Sequence, residues 1–194
     1  MPDFLTAIVT SSGVVALAEM GDKTQLLAIV LATRFRAPWP VIAGILAATL
    51  ANHALAAWAG VALAGWFEGV WFRYAVAASF IAMAGWTLIP DKLDAIDDAP
   101  PRHGAFVATT IAFFIVEIGD KTQIATIALG ARFDSVLVVT MGTTLGMMLA
   151  NVPAVFLGQK LVEKVPMRTV HGIAALIFLT IGLWLLAATA GWIG

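Results

Sequence analysis

Cysteine is absent from the chain. That excludes disulfides, thiolate metal sites and cysteine nucleophiles, and leaves the redox compartment open. Charge is scarce: Asp, Glu, Lys and Arg together make 12% of the residues, where a soluble domain carries about 25%. The charges nearly cancel, at net −1, so no basic surface points to nucleic acid. There is no phosphate-binding loop, so energy for any work should come from an ion gradient rather than from ATP.

Apolar residues fill the space that charge leaves. They make 61% of the 194 residues, and mean hydropathy is +0.94. This exceeds what a soluble core uses, so the chain reads as an all-α integral membrane protein in contact with the lipid bilayer. A span needs roughly 20 apolar residues. Six spans fit, over 4–33, 39–64, 70–89, 104–131, 135–158 and 169–192. The first and fourth exceed the minimum, which predicts tilt or a local break. Ala16-Leu17-Ala18 has the form of a signal-peptidase site. The segment before it has no Lys or Arg, unlike a secretory signal, so the first span is expected to stay in the mature protein.

Glu19-Met20-Gly21-Asp22-Lys23-Thr24-Gln25 returns as Glu117-Ile118-Gly119-Asp120-Lys121-Thr122-Gln123, 98 residues later. Between 18–35 and 116–133, 10 of 18 positions are identical. The polar stretch 91–103 then separates a first three-helix repeat, 1–90, from a second, 104–194. Three spans are an odd number, so the second repeat enters the membrane from the opposite side and the copies are inverted. Asn52 matches Asn151, Phe80 matches Phe178, and Trp86 matches Trp184. Seven basic residues (Arg34, Arg36, Lys92, Arg102, Lys160, Lys164 and Arg168) fall on one side, against Arg73 and Arg132 on the other. The side with seven is read as cytoplasmic, which places both termini outside.

Charge inside a span is costly and marks a site. Glu19 and Asp22, like Glu117 and Asp120, are three residues apart and would share a helix face. Inverted repeats bring matching positions together near mid-depth, so one pocket with four carboxylates is expected. Four acids in a low dielectric need a bound cation or protons. That is the coupling a cation–proton exchanger uses, because protonation expels metal. Oxygen-only ligands suit Ca²⁺, Mn²⁺ or Mg²⁺. Gly21 and Gly119 admit two readings: a local opening of the helix or a small residue for packing. Lys23 and Lys121 are read first as i,i+4 partners of Glu19 and Glu117, and second as tethered cations that hold the empty site. On a continuous helix Gln25 and Gln123 lie nearer the acids than Thr24 and Thr122. The glutamines therefore rank above the threonines as ligands, and the threonines are expected to bond backbone carbonyls. Asn52 and Asn151 either line the path or bridge helices. His53 is read as a satisfied core or lumen residue, and His103 and His171 as interfacial. Trp39, Trp66, Trp71 and Trp192 are read as membrane anchors.

The doubled Glu-x-Gly-Asp-Lys-Thr, set in six spans with an acidic central loop, resembles the manganese/calcium cation–proton exchanger family. That family includes Golgi and chloroplast manganese transporters and bacterial manganese exporters. The resemblance implies that Mn²⁺ or Ca²⁺ moves against protons and binds at Glu19, Asp22, Glu117 and Asp120. It implies no cofactor and no enzymatic activity. With no targeting extension, a bacterial-type member in the cytoplasmic (inner) membrane exporting Mn²⁺ is expected. Rival readings are a passive cation channel, an exporter of small organic cations such as basic amino acids, and a membrane scaffold. The sequence leaves oligomeric state open.

Overall fold

The computed structural model describes residues 4–67, 69–89, 104–158 and 166–193. The polar linker 91–103, with His103, and the basic residues Lys160 and Lys164 lie outside the described residues. Among the described residues the fold is all-helical: α1 (Phe4–Glu19), α2 (Lys23–Phe35), α3 (Pro38–Trp66), α4 (Val70–Thr87), α5 (Ala105–Glu117), α6 (Lys121–Phe133), α7 (Val136–Leu157) and α8 (Met167–Thr189).

By length and apolarity, α3, α7 and most of α8 can each cross a membrane, and α1 with α2 passes the same test together, as one broken span or a re-entrant loop. The first expected span is therefore not one helix. It turns by 71° between Glu19 and Lys23. The fourth is interrupted at the equivalent place, between Glu117 and Lys121. At 29 residues, α3 is roughly 43 Å long at 1.5 Å per residue. A hydrocarbon layer of about 30 Å accommodates such a helix by tilt.

Local sequence sets these ends. Pro38 and Pro40 open α3, where a missing N–H is harmless. Arg36 and Asp134 adopt left-handed conformations, with φ of 51° and 50°. Their N–H groups close the last turns of α2 and α6 on Ala32 O and Gly130 O. Ser135 caps α7 by accepting from Val138 N at 3.4 Å.

Burial differs from that of a soluble protein: large apolar side chains cover much of the exterior, and many polar ones share the interior with the apolar core. Leu50, Trp58, Leu145, Leu149 and Leu176 are exposed, while Ser11, Thr49, Asn52, Thr143 and Asn151 are buried. Lipid tails are as apolar as leucine, so burying leucine brings helices together no better than leaving it in lipid. Close contact and polar bonding hold such a bundle instead. Ser12 Oγ donates to Gly142 O at 2.9 Å, joining α1 to α7. A Cβ on Gly60 of α3 would collide with Ile127 O of α6. The Trp39, Trp66, Trp71 and Trp192 side chains are exposed, as anchors require.

The packing is reciprocal. α1 rests on α7 as α5 rests on α3, α2 rests on α7 as α6 rests on α3, and α4 rests on α8. The matched Phe80 and Phe178 meet in the core with ring centroids 6.2 Å apart. Gly60→Val should therefore lower thermal stability in detergent by about 1–3 kcal/mol through overpacking. Gly65→Val, on the same helix where a Cβ meets open space, should be neutral or stabilising by roughly a few tenths of a kcal/mol, because valine has the higher helix propensity. Equal losses in the two variants would contradict the close α3–α6 crossing.

Candidate metal centre

The two interruptions are built alike. Glu19 ends α1 and Asp22 stands at the start of α2, while Glu117 ends α5 and Asp120 stands at the start of α6. Gly21 and Gly119 take φ of 81° and 76°, a region that L side chains rarely adopt. Of the two readings of these glycines, the local opening is the one found. Asp22 N donates to Glu19 O and Asp120 N to Glu117 O, each at 3.1 Å.

Breaking the helix frees backbone amides that need partners. Gly21 N donates to Gln25 Oε1 at 2.9 Å, and Gly119 N donates to Gln123 Oε1 at 2.8 Å. Gln25 Nε2 donates to Ala150 O on α7 at 3.0 Å. These glutamines hold the turn, with Oε1 on a backbone amide in each copy. Thr24 Oγ1 instead donates to the Glu19 carboxylate, and Thr122 Oγ1 reaches Asp120 Oδ2 at 3.4 Å. The expectation failed because it projected the residues onto one continuous helix; the turn at Gly21 rotates everything after it.

Glu19, Asp22, Glu117 and Asp120 are all buried. Carboxylate oxygens of Glu19, Asp22 and Asp120 lie within 4.8 Å of one another. Oxygens on opposite sides of a hard ion at about 2.4 Å are about 4.8 Å apart, so the group is already on the scale of a coordination shell. Glu117 sits beside this trio. It accepts from Asn52 Nδ2 at 3.0 Å and from Thr49 Oγ1 at 3.4 Å. Asn52 Nδ2 also reaches Phe114 O at 3.0 Å, so this asparagine both bridges helices and serves an acid.

The lysines pair across the molecule. Lys23 Nζ lies 2.9 Å from Asp120 Oδ1, and Lys121 Nζ lies 3.5 Å from Asp22 Oδ1. The expected Glu19–Lys23 and Glu117–Lys121 pairs, each along one helix, are replaced by these crossed pairs. An i,i+4 pair needs an unbroken turn, and the helix stops between the two partners. Four buried acids against two lysines leave −4 + 2 = −2 with every carboxylate ionised, the charge that one divalent cation cancels. Glu19 Oε1 and Asn151 Oδ1 are acceptors at the site with no hydrogen-bond partner among the described residues. Asn151 approaches the Glu19 carboxylate, while its Nδ2 is bonded to Met147 O at 3.1 Å. A buried acceptor without a donor is costly, and a cation is what such oxygens would take.

Three residues were placed differently by the sequence. His53 is buried but not satisfied: neither ring nitrogen has a hydrogen-bond partner among the described residues, and Nε2 is 4.0 Å from Glu117 Oε1. His171, read as interfacial, has Nε2 2.9 Å from Met20 O and so braces the first break. Thr49 was overlooked, although it stands one helical turn before Asn52. His171 left no comparable trace, because the matching position in the first repeat is Arg73.

Comparison with known proteins decides the family. The profile described as "Divalent cation/proton antiporter GDT1" matches residues 7–95 and 105–192, one septet in each segment. The chain belongs to this family. It is 51% identical to a Vibrio cholerae serotype O1 protein named "Putative manganese exporter", over 92% of this chain and 90% of that one. It is 29% identical to a GDT1-like protein of Synechocystis sp., over 97% and 98%. A GDT1-like protein of Schizosaccharomyces pombe is 34% identical over 41% of this chain and 30% of its own length. No solved structure matches. Membership makes the chain a membrane cation transporter, which accords with its apolar exterior.

Gln25→Leu should lower stability by about 1–3 kcal/mol, because it strands Gly21 N and Ala150 O. The folded fraction should keep Mn²⁺ affinity within a few-fold of the unaltered protein by calorimetry. Loss of binding without loss of stability would restore Gln25 as a ligand.

Proposed function

We propose that this chain is a six-span transporter of two inverted three-helix repeats that exports Mn²⁺ across the cytoplasmic membrane in exchange for protons, with both termini outside. The observation that carries it is the cluster of Glu19, Asp22 and Asp120 at two matching helix breaks, with each aspartate held by a lysine of the other half. The reciprocal packing of α1–α7 with α5–α3 supports the inverted arrangement. The Vibrio relative's name favours Mn²⁺. The oxygen-only donor set also accepts Ca²⁺.

The crossed pairs turn the second reading of the lysines into a mechanism. In the metal-free site Lys23 and Lys121 lie against Asp120 and Asp22, where they offset charge that would otherwise be buried alone. An incoming divalent cation competes for the same oxygens, and the ammonium groups must swing aside. Glu19, Glu117, Asn52 and Asn151 complete the pocket from the half-helix ends and from α3 and α7. Protons arriving from outside weaken the carboxylates as ligands, the metal leaves, and the lysines return.

The test is metal movement in proteoliposomes with Mn²⁺, Ca²⁺ and Mg²⁺ under opposite pH gradients. Mn²⁺ flux should reverse with the gradient and acidify or alkalinise the lumen, as read by a pH-sensitive dye. Flux indifferent to the gradient would make the protein a channel. Asp120→Asn should reduce Mn²⁺ flux by at least 100-fold while the protein remains folded in the membrane; full activity would remove this residue from the site.

Lys23→Met separates the two roles of the lysines. A competing countercharge predicts tighter Mn²⁺ binding and slower turnover, so that KM and kcat fall together. A merely structural pair predicts lost stability, with KM unchanged in the folded fraction.

A further inference from the structure

One end of the bundle holds cationic groups that the transport site does not use. Arg73, near the start of α4, and Arg132, in the last turn of α6, line the same cavity of about 270 Å³, together with Phe72 and the Trp184 and Thr189 of α8. The Arg132 guanidinium carbon lies 5.2 Å from the Trp184 ring centroid and 5.7 Å from that of Phe133. Among the described residues, no carboxylate forms an ion pair with either arginine. Like charges sharing a cavity repel, and an anion between them relieves the repulsion.

Directly adjoining this cavity is an apolar groove of about 160 Å³ between α3, α4 and α6. Its walls include Leu63, Phe72, Val76, Ile124 and Ile127. Phe72, Val76 and Ala131 line both spaces, so only apolar side chains stand where the cationic cavity meets the groove. Two guanidiniums at the mouth of an apolar slot fit one kind of molecule. A phosphodiester accepts paired N–H donors from arginine, and an acyl chain fills the slot. A zwitterionic headgroup would bring its ammonium up against the arginines, so a net-negative lipid is favoured.

The positions matching Arg73 and Arg132 are His171 and Arg34, and His171 is engaged with Met20 O. The arginine pair is thus not repeated at the matching positions, and the repeat symmetry does not account for it.

We propose that Arg73, Arg132 and the adjoining groove form a binding site for one anionic phospholipid, with its phosphate between the guanidiniums and an acyl chain along α4 and α6. Basic pockets between membrane helices bind anionic headgroups by this logic. The occupant stabilises the contact between α4 and α6.

The experiment is native mass spectrometry of the full chain released from detergent. It is titrated with phosphatidylglycerol, with phosphatidylethanolamine of the same chains, and with inorganic phosphate. One phosphatidylglycerol should be retained at least tenfold more strongly than phosphatidylethanolamine, and phosphate alone should not displace it. Retention should fall about tenfold in Arg73→Gln/Arg132→Gln, and also in Ala75→Trp, which fills the groove while leaving both arginines in place. Arg132→Lys should fall between the double variant and the unaltered protein, because it keeps charge but loses the paired donors. Equal retention of the two lipids, or displacement by phosphate, would overturn the proposal. These two arms use the unaltered chain, so they decide even if a variant fails to fold.

Discussion

Everything at the centre of this molecule follows from burying more negative than positive charge where two broken helices meet. Four carboxylates lie out of water with one buried lysine, Lys121, and one partly exposed, Lys23. Such an arrangement survives only if each acid finds a donor or a cation. Each aspartate takes the lysine of the opposite half, Glu19 takes Thr24, and Glu117 takes Asn52 and Thr49. The breaks themselves exist to aim these groups inward. Each needs a glycine in a left-handed conformation and a glutamine to cover the exposed amide. The septet therefore divides its work: Glu and Asp carry charge, Lys answers the other copy, Thr orients an acid, and Gly and Gln make the turn.

The scaffold around the site is chosen for closeness rather than for apolarity. In lipid, a buried leucine has no advantage over an exposed one. Backbones therefore approach at Gly60 and Gly130 between α3 and α6, and at Gly142 and Gly146 between α1 and α7. Many large apolar side chains, such as Leu50, Trp58 and Leu149, face outward. Polar ones such as Ser12, Thr143 and Asn151 face inward and bond to backbone carbonyls.

Much of this was legible in the sequence. Composition pointed to membrane-length helices, and the repeated septet named the four acids. The excessive lengths of the first and fourth apolar runs warned of interruptions. The limit was local geometry. A helical wheel assumes an unbroken helix, so it misassigned Gln25, Gln123, Thr24 and Thr122, and it joined Lys23 to Glu19. Pairing across the two halves, as in Lys23–Asp120, depends on how the repeats dock, and sequence spacing does not encode that. His171 at Met20 O has no counterpart in the other repeat, so no internal comparison could reveal it. Thr49 was within reach, since it shares a helix face with Asn52.

The glycine crossings also govern what can slide. α6 is seated on α3, and α1 on α7, with backbone atoms where side chains would otherwise give slack. Each of these pairs therefore travels as one body, and shear between its members is blocked. The compliant places are the few residues around Gly21 and Gly119, where no continuous ladder of hydrogen bonds stiffens the chain. In each broken span both halves rest on one helix of the other repeat, with the joint between them at the carboxylates. Any relative displacement of the two bodies must reshape the ion pocket first and the helices afterwards.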